Sequence, residues 1–199
     1  SLTDEYRLPV LVALIPHIPE ALPNALASVS SVRDYYEHSR SLLEISKHLP
    51  ELLCKEVLEK SLKVALNILQ GSLERVTALI NLAPYVKDVA NNALDAAIAY
   101  EYFNISFDSH LESLAAYLGK EALIKAFETV KSLKYGDKHK ALAALLPYFP
   151  ESIHATRYAI FAEGYIGISE IRSLVKLAPQ LPDVIPETLK AIFAHTNDS

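Results

Sequence analysis

Apolar residues recur along the chain with the spacing of one helix face, and the same pattern returns six times. Stretches such as "ALIPHIPEA", "EISKHLPEL" and "ALLPYFPES" align on one common position, which we call the anchor. The anchors are spaced by 31, 37, 32, 31 and 32 residues, at Pro19, Pro50, Lys87, Gly119, Pro150 and Pro182. The chain is therefore predicted to contain six repeats with a period of about 31–32 residues, one with an insertion of about five residues.

The residues before each anchor predict a first helix, helix A. Eight positions before the anchor, all six repeats carry leucine: Leu11, Leu42, Leu79, Leu111, Leu142 and Leu174. Apolar residues also stand five and one positions before it, and mostly small or apolar residues stand four before it. These offsets follow the i, i+3, i+4, i+7 pattern of one helix face.

A second helix, helix B, is predicted directly after the anchor. Proline is tolerated at a helix start because the first amide has no intrahelical acceptor, and acidic residues after the anchor complement the helix dipole. In the turn, the first proline ends helix A and the anchor proline begins helix B. The predicted helix hairpins span residues 4–31, 34–68, 72–100, 107–134, 138–163 and 168–195.

One hairpin is too small to bury its apolar face alone, so neighbouring hairpins must stack into a continuous core. The predicted fold is an all-α, right-handed αα-solenoid of about six helix hairpins, similar in plan to TPR and HEAT arrays. No stretch predicts a strand, and no linker divides the chain. We therefore expect one helical-repeat domain over residues 1–199.

Composition narrows the class of protein. Apolar residues make up 51% of the 199 residues, and the net charge of -5 argues against binding to a nucleic-acid backbone. The only cysteine is Cys54, so no intrachain disulfide can form, which fits a cytoplasmic protein. No apolar run reaches the roughly 18 to 20 residues of a membrane span, and no signal peptide is evident. Since methionine is absent even at position 1, we expect a piece of a larger multidomain protein.

Histidine and cysteine positions offer little catalytic chemistry. His17 and His48 stand two positions before their anchors, in the predicted turn between helix A and helix B. The other repeats carry Tyr85, Tyr117, Tyr148 and Gln180 at this position, which we call the turn column, and this favours packing in the turn over metal binding. Asp34 and His38 stand four apart, as in half of a metal site or a carboxylate-oriented base, although a surface pair is the favoured interpretation. Cys54 lies in the first turn of a helix B without a partner motif.

Motifs for metalloproteases, thiol redox chemistry, serine hydrolases and nucleotide binding are all missing from the sequence. We therefore expect no enzyme activity and no cofactor. An enzyme built from scattered side chains on a helical-repeat fold stays a rival hypothesis, because such a site leaves no motif.

Aromatic and charged residues gather where helix B connects to the next helix A, as in "RDYYEHSR", "AYEYFNISFD", "KYGDKHK" and "EGYIGISEIR". Tyrosine mixed with arginine or lysine is typical of protein interfaces. The predicted partner-binding residues are Tyr35, Tyr36, Arg40, Tyr100, Tyr102, Phe103, Tyr135 and Lys138. Alternatively, these aromatics seal the helix ends between layers. A basic strip for nucleic acid is disfavoured because acidic neighbours accompany its members Arg40, Lys138, Lys140 and Arg172.

The stretches "DEYRLPVLVALIPHIPEAL" and "RDYYEHSRSLLEISKHLPEL" resemble the C-terminal helical repeats of bacterial STAND-class ATPases of the NACHT and NB-ARC types, notably in cyanobacteria. The resemblance covers nearly the whole chain, although "SLAAYLGKE" has lost both prolines. It implies an upstream effector and nucleotide-binding domain, with the repeats sensing a ligand or holding the ATPase inactive. It implies no particular binding residues.

The predicted function is therefore a protein-binding module, the sensor or autoinhibitory region of a STAND-type signalling or antiviral defence protein. Its partner would be a protein or peptide ligand, or the upstream ATPase domain of the same polypeptide, with no membrane contact. A constitutive scaffold inside a fixed complex is the main rival.

Overall fold

A computed structural model describes residues 4–101, 107–133 and 138–150, together with the single residues 155, 172, 175, 179, 186 and 189. Within these residues every regular element is helical. The α-helices are α1 Asp4–Leu14, α2 Ala21–Val29, α3 Tyr35–Ser46, α4 Glu51–Leu66, α5 Leu73–Leu82, α6 Val89–Glu101, α7 Phe107–Leu114, α8 Lys120–Ser132 and α9 Lys138–Leu145, and a 3₁₀ turn, Ala115–Tyr117, follows α7.

The all-α prediction is confirmed for this part of the chain. Each of the four hairpins predicted over 4–134 contains two helices, and α9 begins where the fifth hairpin was expected. The second half of the fifth hairpin and nearly all of the sixth lie outside the described residues.

The anchor position marks the start of helix B as predicted. Pro50 is the residue before α4, with φ −56° and ψ 150°, and Gly119 stands in the same place before α8. In the third hairpin the anchor is Lys87, and the next residue, Asp88, has a left-handed φ of 65°. Helix α6 therefore starts one residue later, at Val89.

The chain divides into two compact units, Ser1–Tyr100 and Glu101–Ser199. In the first unit, α1 packs on α2 and α3 packs on α4, and α3 also contacts α1 and α5. In the second unit, α9 contacts both α7 and α8. Within each unit, helices A of successive hairpins thus lie against one another, which is the contact that stacked repeats require.

The leucines that stand eight positions before each anchor lie in the cores of both units. Leu42, Leu79, Leu111 and Leu142 are almost completely buried, whereas Leu11 in the first hairpin is only partly buried. Removing these side chains from water is the main source of stability for such a fold. The predicted buried face of helix A is confirmed from the second hairpin to the fifth.

Candidate functional site

Two buried serines determine how α3 lies against α4. The Ser61 hydroxyl donates to the carbonyl oxygen of Ser39 at 2.7 Å, and the two hydroxyl oxygens are 3.0 Å apart. Since the two helices run antiparallel, the first turn of α3 lies beside the last turn of α4. Tyr35 and Leu66 are therefore brought to the same end of the hairpin.

Three of the predicted partner-binding residues lie on the first two turns of α3. The side chain of Tyr35 is 52% exposed, Tyr36 is partly buried, and Arg40 is exposed. Arg40 Nη1 lies 3.5 Å from Glu37 Oε1. An exposed pair at that distance holds the guanidinium only weakly, so Arg40 is available to a partner.

The other predicted residues belong to other elements or lie outside the described residues. Tyr100 is partly buried near the end of α6. Lys138 belongs to the second unit, where its Nζ donates to the Lys131 carbonyl at the end of α8, at 3.2 Å. Tyr102, Phe103 and Tyr135 lie outside the described residues, so their role stays a prediction.

The stretch in which the repeat spacing predicts an insertion includes a short loop between α4 and α5. Gly71 in this loop has a φ of 77°, a left-handed conformation that glycine adopts without a steric cost. Arg75 Nη1 donates to the carbonyl oxygens of Leu66 at 2.7 Å and Ile68 at 2.9 Å. The Ser72 hydroxyl accepts from the Arg75 amide at 3.3 Å and caps α5. The loop is therefore tied to both flanking helices.

This loop and its flanks present leucine side chains to solvent. Leu69 is 79% exposed, and Leu66 and Leu73 on either side of the loop are also exposed. They lie toward the end of the helix group at which α3 starts, since α5 packs against both α3 and α4. We call this surface the tyrosine–leucine edge, and it comprises Tyr35, Tyr36, Arg40, Leu66, Leu69 and Leu73.

Sequence reasoning found the tyrosines of this edge but missed its leucines. The insertion was visible as an irregular anchor spacing of 37 residues. Loops often carry function, and an apolar residue, Leu69, directly before the polar "QGS" was the signal that went unused.

We expect that replacing Arg75 with methionine loosens the inserted loop without changing the fold. Charge-assisted hydrogen bonds to carbonyl groups contribute about 1.5–3 kcal/mol, so the free energy of unfolding should fall by about 1–2 kcal/mol at this partly exposed site. Hydrogen exchange followed by mass spectrometry should show faster exchange across residues 67–72. Arg40→Met is the matched control and should leave that segment unchanged. Unaltered exchange in Arg75→Met would show that the loop is held by other contacts.

A second exposed surface lies at the turns that join helix A to helix B within each hairpin. These turns are at the other end of the helices from the connections between hairpins. The turn column was predicted to pack into these turns, but its described members are exposed: His17, His48, Tyr85, Tyr117 and Tyr148. The turn therefore covers this column only in part, since Tyr85 is 52% exposed and Tyr117 and Tyr148 are each 47% exposed. Leu52, in the first turn of α4, is 88% exposed. In the first unit we call His17, His48, Leu52, Leu53 and Tyr85 the turn edge.

Asp34 and His38 do not form the surface pair expected from their spacing. The Asp34 carboxylate accepts from the Glu37 amide at 2.8 Å and so caps α3. His38 Nε2 is buried without a hydrogen-bond partner. Burial lowers the pKa of His38 and nearby Lys60 lowers it further, against an opposing hydrogen bond to the backbone of Val32. The imidazole is therefore neutral at pH 7.

The described ranges contain no group of three or more His, Cys, Asp or Glu side chains placed to hold a metal ion. None of their helices combines the length and the apolar character needed to cross a bilayer.

No model of a known protein family matches the chain, and no curated protein or solved structure matches it either. The exposed tyrosine–leucine edge and turn edge are therefore the features from which a function is inferred.

Proposed function

We propose that this chain is a protein-binding helical-repeat module whose partner docks on the tyrosine–leucine edge. The observation that carries the proposal is the exposure of Tyr35 and Leu69 at the same end of one packed helix group. Single exposed apolar side chains are ordinary, but several leucines at the end of a helix group that also presents tyrosine and arginine have the composition of an interaction surface.

The way this edge is held favours binding. Tyr35 stands at the capped start of α3, and Leu69 stands on a loop that Arg75 ties to both flanking helices. Side chains on a fixed backbone lose little conformational freedom when a partner binds, so more of the contact energy appears as affinity. Arg40 at the rim adds a charged group that selects among partners.

The resemblance of the sequence to the repeats of STAND-class ATPases supports a more specific proposal. In this proposal the chain is a right-handed αα-solenoid of about six hairpins, and it acts as the sensor or autoinhibitory region of a bacterial STAND-type protein in the cytoplasm. A partner bound at the edge would shift a closed parent protein toward an open, oligomerising state. No catalytic step is assigned to the chain itself.

The test compares two surfaces of equal exposure within one unit. Tyr35 and Tyr85 are both 52% exposed, and Leu69 and Leu52 are both strongly exposed, but they lie on different edges. A photo-crosslinking side chain would be placed at position 69 or at position 52, and the protein incubated in lysate of the native host with and without phage infection. Crosslinked proteins are then identified by mass spectrometry.

We expect a partner that crosslinks at position 69 and not at position 52. Tyr35→Ala/Arg40→Ala should reduce its recovery by about tenfold or more, because interface anchors of these types often contribute at least 1.4 kcal/mol each. Tyr85→Ala/Leu52→Ser should leave the recovery unchanged. Equal loss in both double variants would contradict docking at this edge. A partner recovered equally from both lysates would favour the constitutive scaffold over the sensor.

A further inference from the structure

Helix α1 and the turn after it carry an apolar stripe that the second hairpin covers only in part. Its members Leu11 and Leu14 pack against the core cluster that includes Leu42 and Ile45 and stay partly exposed. The stripe comprises Val10, Leu11 and Leu14 on α1 and Ile18 just after it. Val10 is 51% exposed and Ile18 is 47% exposed, and the two leucines are only partly buried.

The same repeat positions are covered in the next hairpin. Leu42 and Ile45 of α3 correspond to Leu11 and Leu14 of the stripe, and they are 1% and 0% exposed. They belong to a core cluster with residues of the preceding hairpin: Leu8 and Ile15 of α1, and Ala21, Ala25 and Val29 of α2. The equivalent residues of α5, Leu79 and Leu82, are equally buried. Side chains at these positions therefore pack against the preceding hairpin.

The two most exposed members of the stripe have covered counterparts in some of the later hairpins. The counterparts of Val10 in α5 and α9 are Ala78 and Ala141, and both are buried, whereas Ser41 in α3 and His110 in α7 are partly buried. The counterpart of Ile18 in the fifth hairpin is Phe149, which is also buried. Its ring centroid lies 5.4 Å from that of Phe127 on α8, helix B of the preceding hairpin. In the fifth hairpin, the residue directly before the anchor thus contacts helix B of the preceding hairpin.

We propose that the apolar stripe on α1 is an open stacking interface that takes a further helix hairpin of this same repeat. A repeat that ends an array needs a polar outer face to stay soluble, and this face is apolar. The interface would continue the contacts already present, in which α3 lies against α1, α5 against α3 and α9 against α7. The hairpin that binds there therefore presents to α1 the same apolar positions that α1 and α2 present to α3.

A tryptophan placed in the stripe reports whether it is covered, because the chain has none of its own. Ile18→Trp would be made in the 199-residue chain and in an extended chain that carries a second copy of residues 1–31 before Ser1. This extension preserves the 31-residue spacing of the first two anchors. Leu52→Trp, on the turn edge, is the matched control in both chains.

We expect the emission of Ile18→Trp to move to shorter wavelength in the extended chain and its quenching by acrylamide to fall several-fold. Leu52→Trp should give the same spectrum in both chains. As a second measurement, Val10→Glu at the original position should lower the Tm of the extended chain by about 5 °C or more, and that of the 199-residue chain by about 2 °C or less. Circular dichroism would verify that each variant is folded.

Unchanged emission and an unchanged Val10→Glu effect in the extended chain would overturn the proposal. A shift to shorter wavelength in the 199-residue chain at rising concentration, together with dimers in sedimentation, would also overturn it and assign the stripe to a second copy of the chain.

Discussion

Leu79→Ala is expected to lower the free energy of unfolding by about 3 kcal/mol, and Leu11→Ala by about half as much. The two leucines occupy the same position of the repeat, eight residues before the anchor. Leu79 is completely buried between hairpins, whereas Leu11 is only partly buried. Truncation at Leu79 therefore removes buried methyl groups and also leaves a cavity, and truncation at Leu11 leaves a groove that water fills.

Urea denaturation followed by circular dichroism measures both changes on the same unit, since both leucines belong to residues 1–100. The midpoint should fall while the slope stays constant, because neither change alters the surface exposed on unfolding by much. For a chain of this length, 3 kcal/mol corresponds to a Tm lower by about 6–12 °C. Equal losses for the two variants would show that burial in the first hairpin does not differ from burial in the third.

Ser61→Leu is expected to destabilise the protein by about 3 kcal/mol, more than Ser61→Ala, which should cost about 1 kcal/mol. Ser39 and Ser61 are both fully buried, and their hydroxyl oxygens are 3.0 Å apart. Side chains this small let α3 and α4 approach closely, so a leucine must push the helices apart. Alanine keeps the close approach and loses only hydrogen bonds.

The double variant Ser39→Ala/Ser61→Ala separates these two effects. Each hydroxyl donates to the backbone carbonyl of the other serine, at 3.1 Å for Ser39 and 2.7 Å for Ser61. The two residues are therefore coupled, and the double variant should lose less than the sum of the single variants. Chemical denaturation of the four proteins gives the coupling energy. A milder effect for Ser61→Leu than for Ser61→Ala would contradict the close approach of α3 and α4.

The repeat could be predicted from the sequence because its signals are local. Leucine eight positions before the anchor marks the buried face of helix A, and Pro50 or Gly119 at the anchor marks the start of helix B. Such signals depend on helical period and on the hydrogen-bonding capacity of a few residues. They therefore predicted helices in the right places without any knowledge of their neighbours.

The candidate site was only partly predictable. Tyr35, Tyr36 and Arg40 could be chosen because their residue types gather in one connection. Leu69 could not be separated from the many other leucines, since its exposure depends on a loop whose position is set by Arg75. Tyr85 was expected to pack, because an aromatic beside a proline looks the same in sequence whether it faces the core or solvent.

The sequence by itself determined the all-α class, the outer bounds of the described hairpins to within about two residues, and the repeat positions that turn inward. The tertiary structure alone decided which members of a repeat column are covered. Leu11 and Leu79 are identical in type and position, yet one lies partly in solvent and the other is buried. The difference arises because burial depends on the hairpin packed alongside, and the local sequence carries no information about that neighbour.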